Sequence, residues 1–256
     1  FMQEQYETLE LRRDAGLLWL VLNRPQSLNA MNGPLVEELH GVLDELHADH
    51  SIRVVILRGA GRAFCTGIDL KELAAGRIDM RYFRIWEDAL RCFETMDKLV
   101  LCLIHGHGLG GGLQLALACD IRVATADANL ALPAINEGLI PGLGTYRLAR
   151  YIGLGRAKRL ILSGDAVSGA EALEIGLVDY LVSAADMELE FENLIETFMA
   201  GNSEGARLSK QALGQCYDLG YQAFLEHYTG LQAQALRSTD FKEAMTAYRA
   251  NRKPNW

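Results

Sequence analysis

Three consecutive glycines, Gly110, Gly111 and Gly112, follow an apolar run at residues 101–104 and open a segment of helical character from Leu113 onward. A larger side chain at these positions would hold a ligand away from the main chain, whereas glycine lets it come close. The first turn of a helix also leaves N–H groups without partners. Such amides suit an anion, or an oxygen that becomes anionic during a reaction. Two chemistries fit: a bound phosphate or a developing enolate. Two further loops share the glycine-rich character. Residues 61–73 hold Gly61 and Gly67 around Cys65, Thr66 and Asp69. Residues 132–144 hold Gly138, Gly142 and Gly144 with one ionisable side chain, Glu137.

The elements that must position these loops alternate between strand and helix. Strands are expected at residues 9–11 and 17–22 around a turn at Asp14, Ala15 and Gly16, and at 54–57, 100–104 and 121–125. The last three are short continuous apolar runs, as buried strands require. Leu35, Val36, Leu39, Val42, Leu43 and Leu46 fall at helical spacing. Helices are also expected over 80–96, 113–118 and 146–162, the last broken near Gly153, Leu154 and Gly155. Ser168 with Glu171 fits a capping box, and that helix ends at Gly176. From Glu188 onward the pattern is helical and more polar. Strands alternating with helices argue for right-handed βαβ connections, hence an α/β fold. A boundary near residue 200 separates a core (1–200) from a helical C-terminal segment (201–256).

The chain has 256 residues, half of them hydrophobic, enough for one sizeable core. A net charge of −8 argues against nucleic acid or an anionic membrane as partner. The five cysteines, Cys65, Cys92, Cys102, Cys119 and Cys216, have no metal-type spacing and read as reduced thiols, and no metal site is expected. No signal peptide or membrane-length apolar run is seen, so the expected location is cytoplasmic. Phe1, ahead of Met2, reads as an expression remnant.

Gly106, Gly108 and Gly111 formally match the dinucleotide fingerprint between a strand and a helix, with Asp127 after the next strand. The spacing to Asp127 is short of the ~20 residues that motif requires. It also leaves the loops at 61–73 and 132–144 unexplained. Taken together with the glycine triplet, with Asn23, Arg24 and Pro25, with Leu28, Asn29 and Ala30, and with residues 168–179, those loops make the chain resemble the crotonase (enoyl-CoA hydratase/isomerase) superfamily over about residues 17–182.

The resemblance implies a crotonase-like ββα spiral core with a helical C-terminal segment serving as a trimerisation or lid element, and assembly as a homotrimer or hexamer. It implies an acyl-CoA thioester as substrate, with coenzyme A part of that substrate and no separate cofactor. By motif position, the N–H groups of Ile68 and Gly111 would stabilise the thioester enolate. Ala30, Ala63, Asp69, Leu70 and Lys71 would meet the substrate, as would Gln114 and Ala134. Asp69 has an alternative role as the cap of the helix that follows.

The sequence departs from the hydratase pattern at the acid–base positions. The two glutamates of the family's hydratases fall at Gln114 and Ala134, and an aspartate position of some relatives falls at Gly142. Water addition needs groups that take and deliver protons, and none of these three titrates. Glu137 lies three residues beyond Ala134 and is the expected catalytic carboxylate, moving a proton between carbons; with apolar neighbours it is expected to be buried and raised in pKa. His105 and His107 are alternative bases, and Tyr146 an alternative donor. Cys65 and Thr66 are not expected to be nucleophiles. Tyr82, Phe83 and Trp86 fit either an acyl pocket or the core. The expected activity is therefore isomerase-type or atypical hydratase/isomerase chemistry at a thioester enolate. Alternatives are decarboxylation using the oxyanion hole alone, and non-catalytic acyl-CoA binding.

Overall fold

The computed structural model describes residues 2–256; Phe1, read above as an expression remnant, lies outside them. Strands β1 (Met2–Gln5), β2 (Leu9–Asp14) and β3 (Leu17–Leu22) form an antiparallel meander. Ala15 and Gly16 take positive φ at the β2–β3 turn. Helix α1 (Gly33–Ala48) follows, capped by the Asn32 side chain, which accepts the Leu35 N–H. It buries the six residues whose spacing marked it as amphipathic.

The remaining core elements are β4 (Val54–Gly59), α2 (Leu70–Ala74), α3 (Met80–Thr95), β5 (Leu99–Ile104), β6 (His107–Leu109), α4 (Gly111–Leu117), β7 (Ile121–Thr125) and β8 (Asn129–Ala131). After a 3-10 turn (Ala134–Glu137) come α5 (Gly144–Ile152), α6 (Leu154–Ser163), β9 (Val167–Ser168), α7 (Gly169–Glu174) and β10 (Tyr180–Val182). Helices α8 (Met187–Met199), α9 (Ser203–Leu213), α10 (Tyr221–Ala235) and α11 (Thr239–Arg249) complete the chain. The break expected inside 146–162 separates α5 from α6 at Gly153, whose φ is +79°. Ser168 caps α7 by accepting the Glu171 N–H, but Glu171 turns to Arg159 and not back to the cap.

Among the described residues the large sheet has the order β1-β2-β3-β4-β5-β7-β10, parallel from β3 onward. Each new strand is laid on the same side of the one before. There is no reversal of strand order, and so none of the switch point at which a dinucleotide-binding sheet holds its ligand. The short strands β6, β8 and β9 form a second sheet. The chain thus winds as a spiral, and the turns begun by β5 and β7 each give one strand to each sheet before a helical segment. Alternation along the parallel strands fills two cores. Val55, Leu57, Val100, Cys102 and Ile104 face the helices of the spiral. Val54, Ile56, Leu101 and Leu103 face Phe191 and Ile195 of α8. Burial on both faces explains the unbroken apolar runs.

The small strands escaped the sequence reading because two or three residues give no periodicity. Near the expected boundary at residue 200, α8 ends at Met199 and α9 starts at Ser203.

Candidate active site

Two isolated parallel bridges explain how loops far apart in sequence meet. Cys65 pairs with Gly108, and Met31 pairs with Ile68. Ile68 and Gly111 each lie three residues past the paired Cys65 and Gly108. They therefore occupy equivalent points on successive turns of the spiral. In the second bridge Met31 donates to Gly67 O (2.7 Å) and accepts from the Asp69 amide (3.0 Å). Both groups of Met31 are spent on the residues flanking Ile68, so the Ile68 N–H points away from it. Gly111 opens α4, where the first amides have no helical partner. Among the described residues no carbonyl takes the Ile68 or the Gly111 amide.

Glycine is required where these turns touch. A methyl on Gly67, which has φ +87°, would lie 2.8 Å from Leu109 O and 2.9 Å from Gly111 N. A methyl on Gly112 would overlap the Cys65 carbonyl. Asn29 ties the first motif to the same loop. Its Oδ1 accepts the Arg24 N–H (2.8 Å), and its Nδ2 donates to Ala60, Ala63 and Phe64 carbonyls. Arg24 in turn donates to Ala30 O and pairs with Asp69 at 3.2 Å.

Beside the two amides lies a cleft of about 700 Å³. The structure brings Ile68, Leu70, Gly111, Gln114, Ala134 and Glu137 together around it. Ala30, Ala63, Asp69 and Lys71 are not on its wall. Ala63 is fully buried, with its carbonyl taken by Asn29. Asp69 is the cap of α2, accepting from the Lys71 and Glu72 amides. Tyr82, Phe83 and Trp86 serve both roles weighed for them: they pack in the core and line the cleft. Tyr82 donates to Met31 O (3.0 Å), and the Trp86 indole N–H is buried without an acceptor.

The expectation for Glu137 needs correction. It is exposed, because the apolar side chains around it, Ile135 and Ile140 among them, point to the surface and do not close over it. An apolar composition says nothing about which way a loop faces. His105 is buried, and its Nε2 meets Gly61 O at 3.0 Å, off the cleft. Tyr146 is outside the cleft wall and bonds Asp218 at 3.1 Å. Burial pushes the Cys65 thiol up to about 12, which suits a packing residue and no nucleophile.

Sequence reasoning missed Glu87. It enters the cleft from α3, with Oε2 held by Arg147 (2.8 Å) and Oε1 accepting the Leu143 N–H (2.9 Å). Arg147 is buried and also paired to Glu94 at 2.6 Å. Gln114 Oε1 accepts the neighbouring Gly144 N–H at 3.3 Å. Among the described residues no cluster of His, Cys, Asp or Glu could hold a metal ion, and no helix is long and apolar enough to cross a membrane. Two free amides beside an apolar cleft with carboxylates on its wall can hold a carbonyl oxygen as charge develops and move a proton nearby.

Comparison with known proteins fits this geometry. The family described as "Enoyl-CoA hydratase/isomerase" matches residues 12–256. A "Probable enoyl-CoA hydratase" of Bacillus subtilis (strain 168) is 38% identical, over 97% of this chain and 98% of the relative. The "Short-chain-enoyl-CoA hydratase" of Clostridium acetobutylicum is 32% identical over 95% of each. The crystal structure of an enoyl-CoA hydratase from Bacillus anthracis superposes with a TM-score of 0.92 at 31% identity, covering 98% of this chain and 99% of that one.

Proposed function

The chain belongs to the enoyl-CoA hydratase/isomerase family, and from that premise we propose that it binds an acyl-CoA thioester in the cleft and stabilises its enolate with the amides of Ile68 and Gly111. The observation that carries this reading is the pair of free amides at equivalent points of successive spiral turns. Backbone donors are uncharged and fixed before charge develops, and removing one typically costs on the order of 3 kcal/mol of barrier. The acyl chain lies against Phe83, Trp86 and Leu139, which give the cleft its apolar wall.

The reaction is proton movement at the enolate, as in double-bond isomerisation. Hydration is disfavoured, because Gln114 and Ala134 stand where the resemblance implies glutamates. Residues 201–256 act as an assembly segment in a trimer or hexamer. Leu213, Tyr217, Tyr221 and Tyr248 are all more than two-thirds exposed there, an apolar surface that suits a second copy. Calorimetry with acyl-CoAs of increasing chain length tests the reading. Saturable binding is expected, and no heat up to millimolar acyl-CoA would overturn it.

A further inference from the structure

Two carboxylates line the cleft among the described residues, and they differ in how they are held. Glu137 stands on the 3-10 turn with its side chain exposed and no recorded partner. Glu87 is fixed at both oxygens, by Arg147 on one side and the Leu143 amide on the other. A single amide on Oε1 leaves that oxygen with acceptor capacity to spare. The space in front of it exists because residue 142 has no side chain. A methyl on Gly142 would lie 2.7 Å from Glu87 Oε1 and 3.1 Å from Gln114 Oε1. Gly142, Gln114 and Glu87 all line the cleft, so both polar heads meet at this gap in its wall.

We propose that Glu87 is the catalytic carboxylate of this cleft, delivered from α3 into the space left open at Gly142, with Arg147 as its positioning residue. The inference rests on the reading of the cleft as an enolate-forming acyl-CoA site. For a 3-enoyl thioester, Oε1 takes a proton from Cα. The electron pair of that C–H bond moves into the carbonyl, and the enolate oxygen sits between the Ile68 and Gly111 amides. The carboxylic acid then returns its proton to Cγ while the double bond shifts to Cα–Cβ. Glu87 ends as it began, and no oxidant or reductant is needed. Gln114 cannot titrate and serves as a neutral neighbour to the developing charge.

The test is deuterium incorporation from heavy water into a bound enoyl-CoA, read by mass spectrometry beside calorimetric binding. Glu87→Gln is expected to lose exchange by at least about 100-fold while binding stays within about 3-fold of wild type. Glu137→Gln is the comparison variant, and a loss of exchange at Glu137→Gln larger than that at Glu87→Gln overturns the assignment. Glu87→Ala should regain exchange on addition of formate, which a purely structural role would not produce. Should the Gln variant not fold, Glu87→Asp keeps a charge for Arg147 and draws the head back by one methylene. It is expected to bind normally and exchange at least about 10-fold more slowly. Unchanged exchange in Glu87→Gln or Glu87→Asp overturns the assignment, and so does a wild type that binds without exchanging. A wild type that binds no acyl-CoA overturns the proposed function itself.

Discussion

The two sides of the cleft are made in opposite ways. On one side, the loops bearing Ile68 and Gly111 are locked into the small sheet and the spiral core. Gly67, Gly111 and Gly112 are buried there, and an added methyl at any of them meets atoms closer than 3 Å. On the other side, residues 134–143 form a mostly exposed rim. Gly138 there has φ +70° with nothing within 4 Å of an added methyl. Ile140 is 80% exposed. Holding charge at a fixed point requires donors that do not move. The rim meets no such demand, and a polar group fixed against it, Glu87, is borrowed from α3.

The largest effect that could break this contrast is expected at Gly67. Alanine there suffers left-handed backbone strain and also presses on Leu109 O and Gly111 N. Enolate exchange should fall at least about 100-fold, and urea unfolding should show a loss of about 3 kcal/mol. A Gly67→Ala enzyme with wild-type exchange would mean that the amide pair is not held as described.

Next in size is the hydration deficit expected of the wild-type protein. Each well-placed acid–base group contributes about 10²–10⁴-fold. With an amide at Gln114 and a methyl at Ala134, turnover of crotonyl-CoA to the hydroxyacyl product should be slower than exchange by at least about 100-fold. Loss of enoyl absorbance measures it. Fast hydration would show that Glu87 and Glu137 together replace the missing pair, and the open rim would then be as well organised as the amide side.

Gly138→Ala isolates strain from crowding, since its backbone is left-handed like that of Gly67 but its surroundings are empty. A loss of about 1–2 kcal/mol is expected, with exchange retained. A loss as large as that of Gly67→Ala would show that the rim is packed more tightly than its exposure indicates.

The same contrast decides what could be read from the sequence. The close contacts of the amide side were legible because close approach of backbones leaves a chemical trace, glycine, while the choice of the Ile68 amide came only with the family resemblance. The buried parallel strands were legible from their apolar runs, and α1 from its period. Glu87 left no trace of this kind. It lies mid-helix in a charged stretch, and its approach depends on α3 packing across the chain onto Arg147 of α5. Glu137 was misread for the converse reason, since proximity in sequence to Ala134 fixed its place on the rim but not its burial.

The smallest effect is expected from His105, on the fixed side, where β5 runs into the glycine loop. Burial lowers its pKa, and Arg58 adds to this, while the bond to Gly61 O and the Glu188 carboxylate act the other way. Its Nδ1 is buried without a partner, so protonation would create a donor with nothing to receive it. The folded state therefore prefers the neutral ring. Because the folded value lies below the unfolded one of 6.5, the contribution is complete well above pH 6.5 and is lost as pH falls through that value toward the folded one. Unfolding free energy should drop by under about 1 kcal/mol between pH 8 and pH 6 through this group. His105→Gln, which keeps a polar head for Gly61 O but cannot titrate, should remove that part of the pH dependence and leave acyl-CoA affinity unchanged. If the variant keeps the full slope, the ring is already free to protonate in the folded protein, and the end of β5 is looser than the amides it supports require.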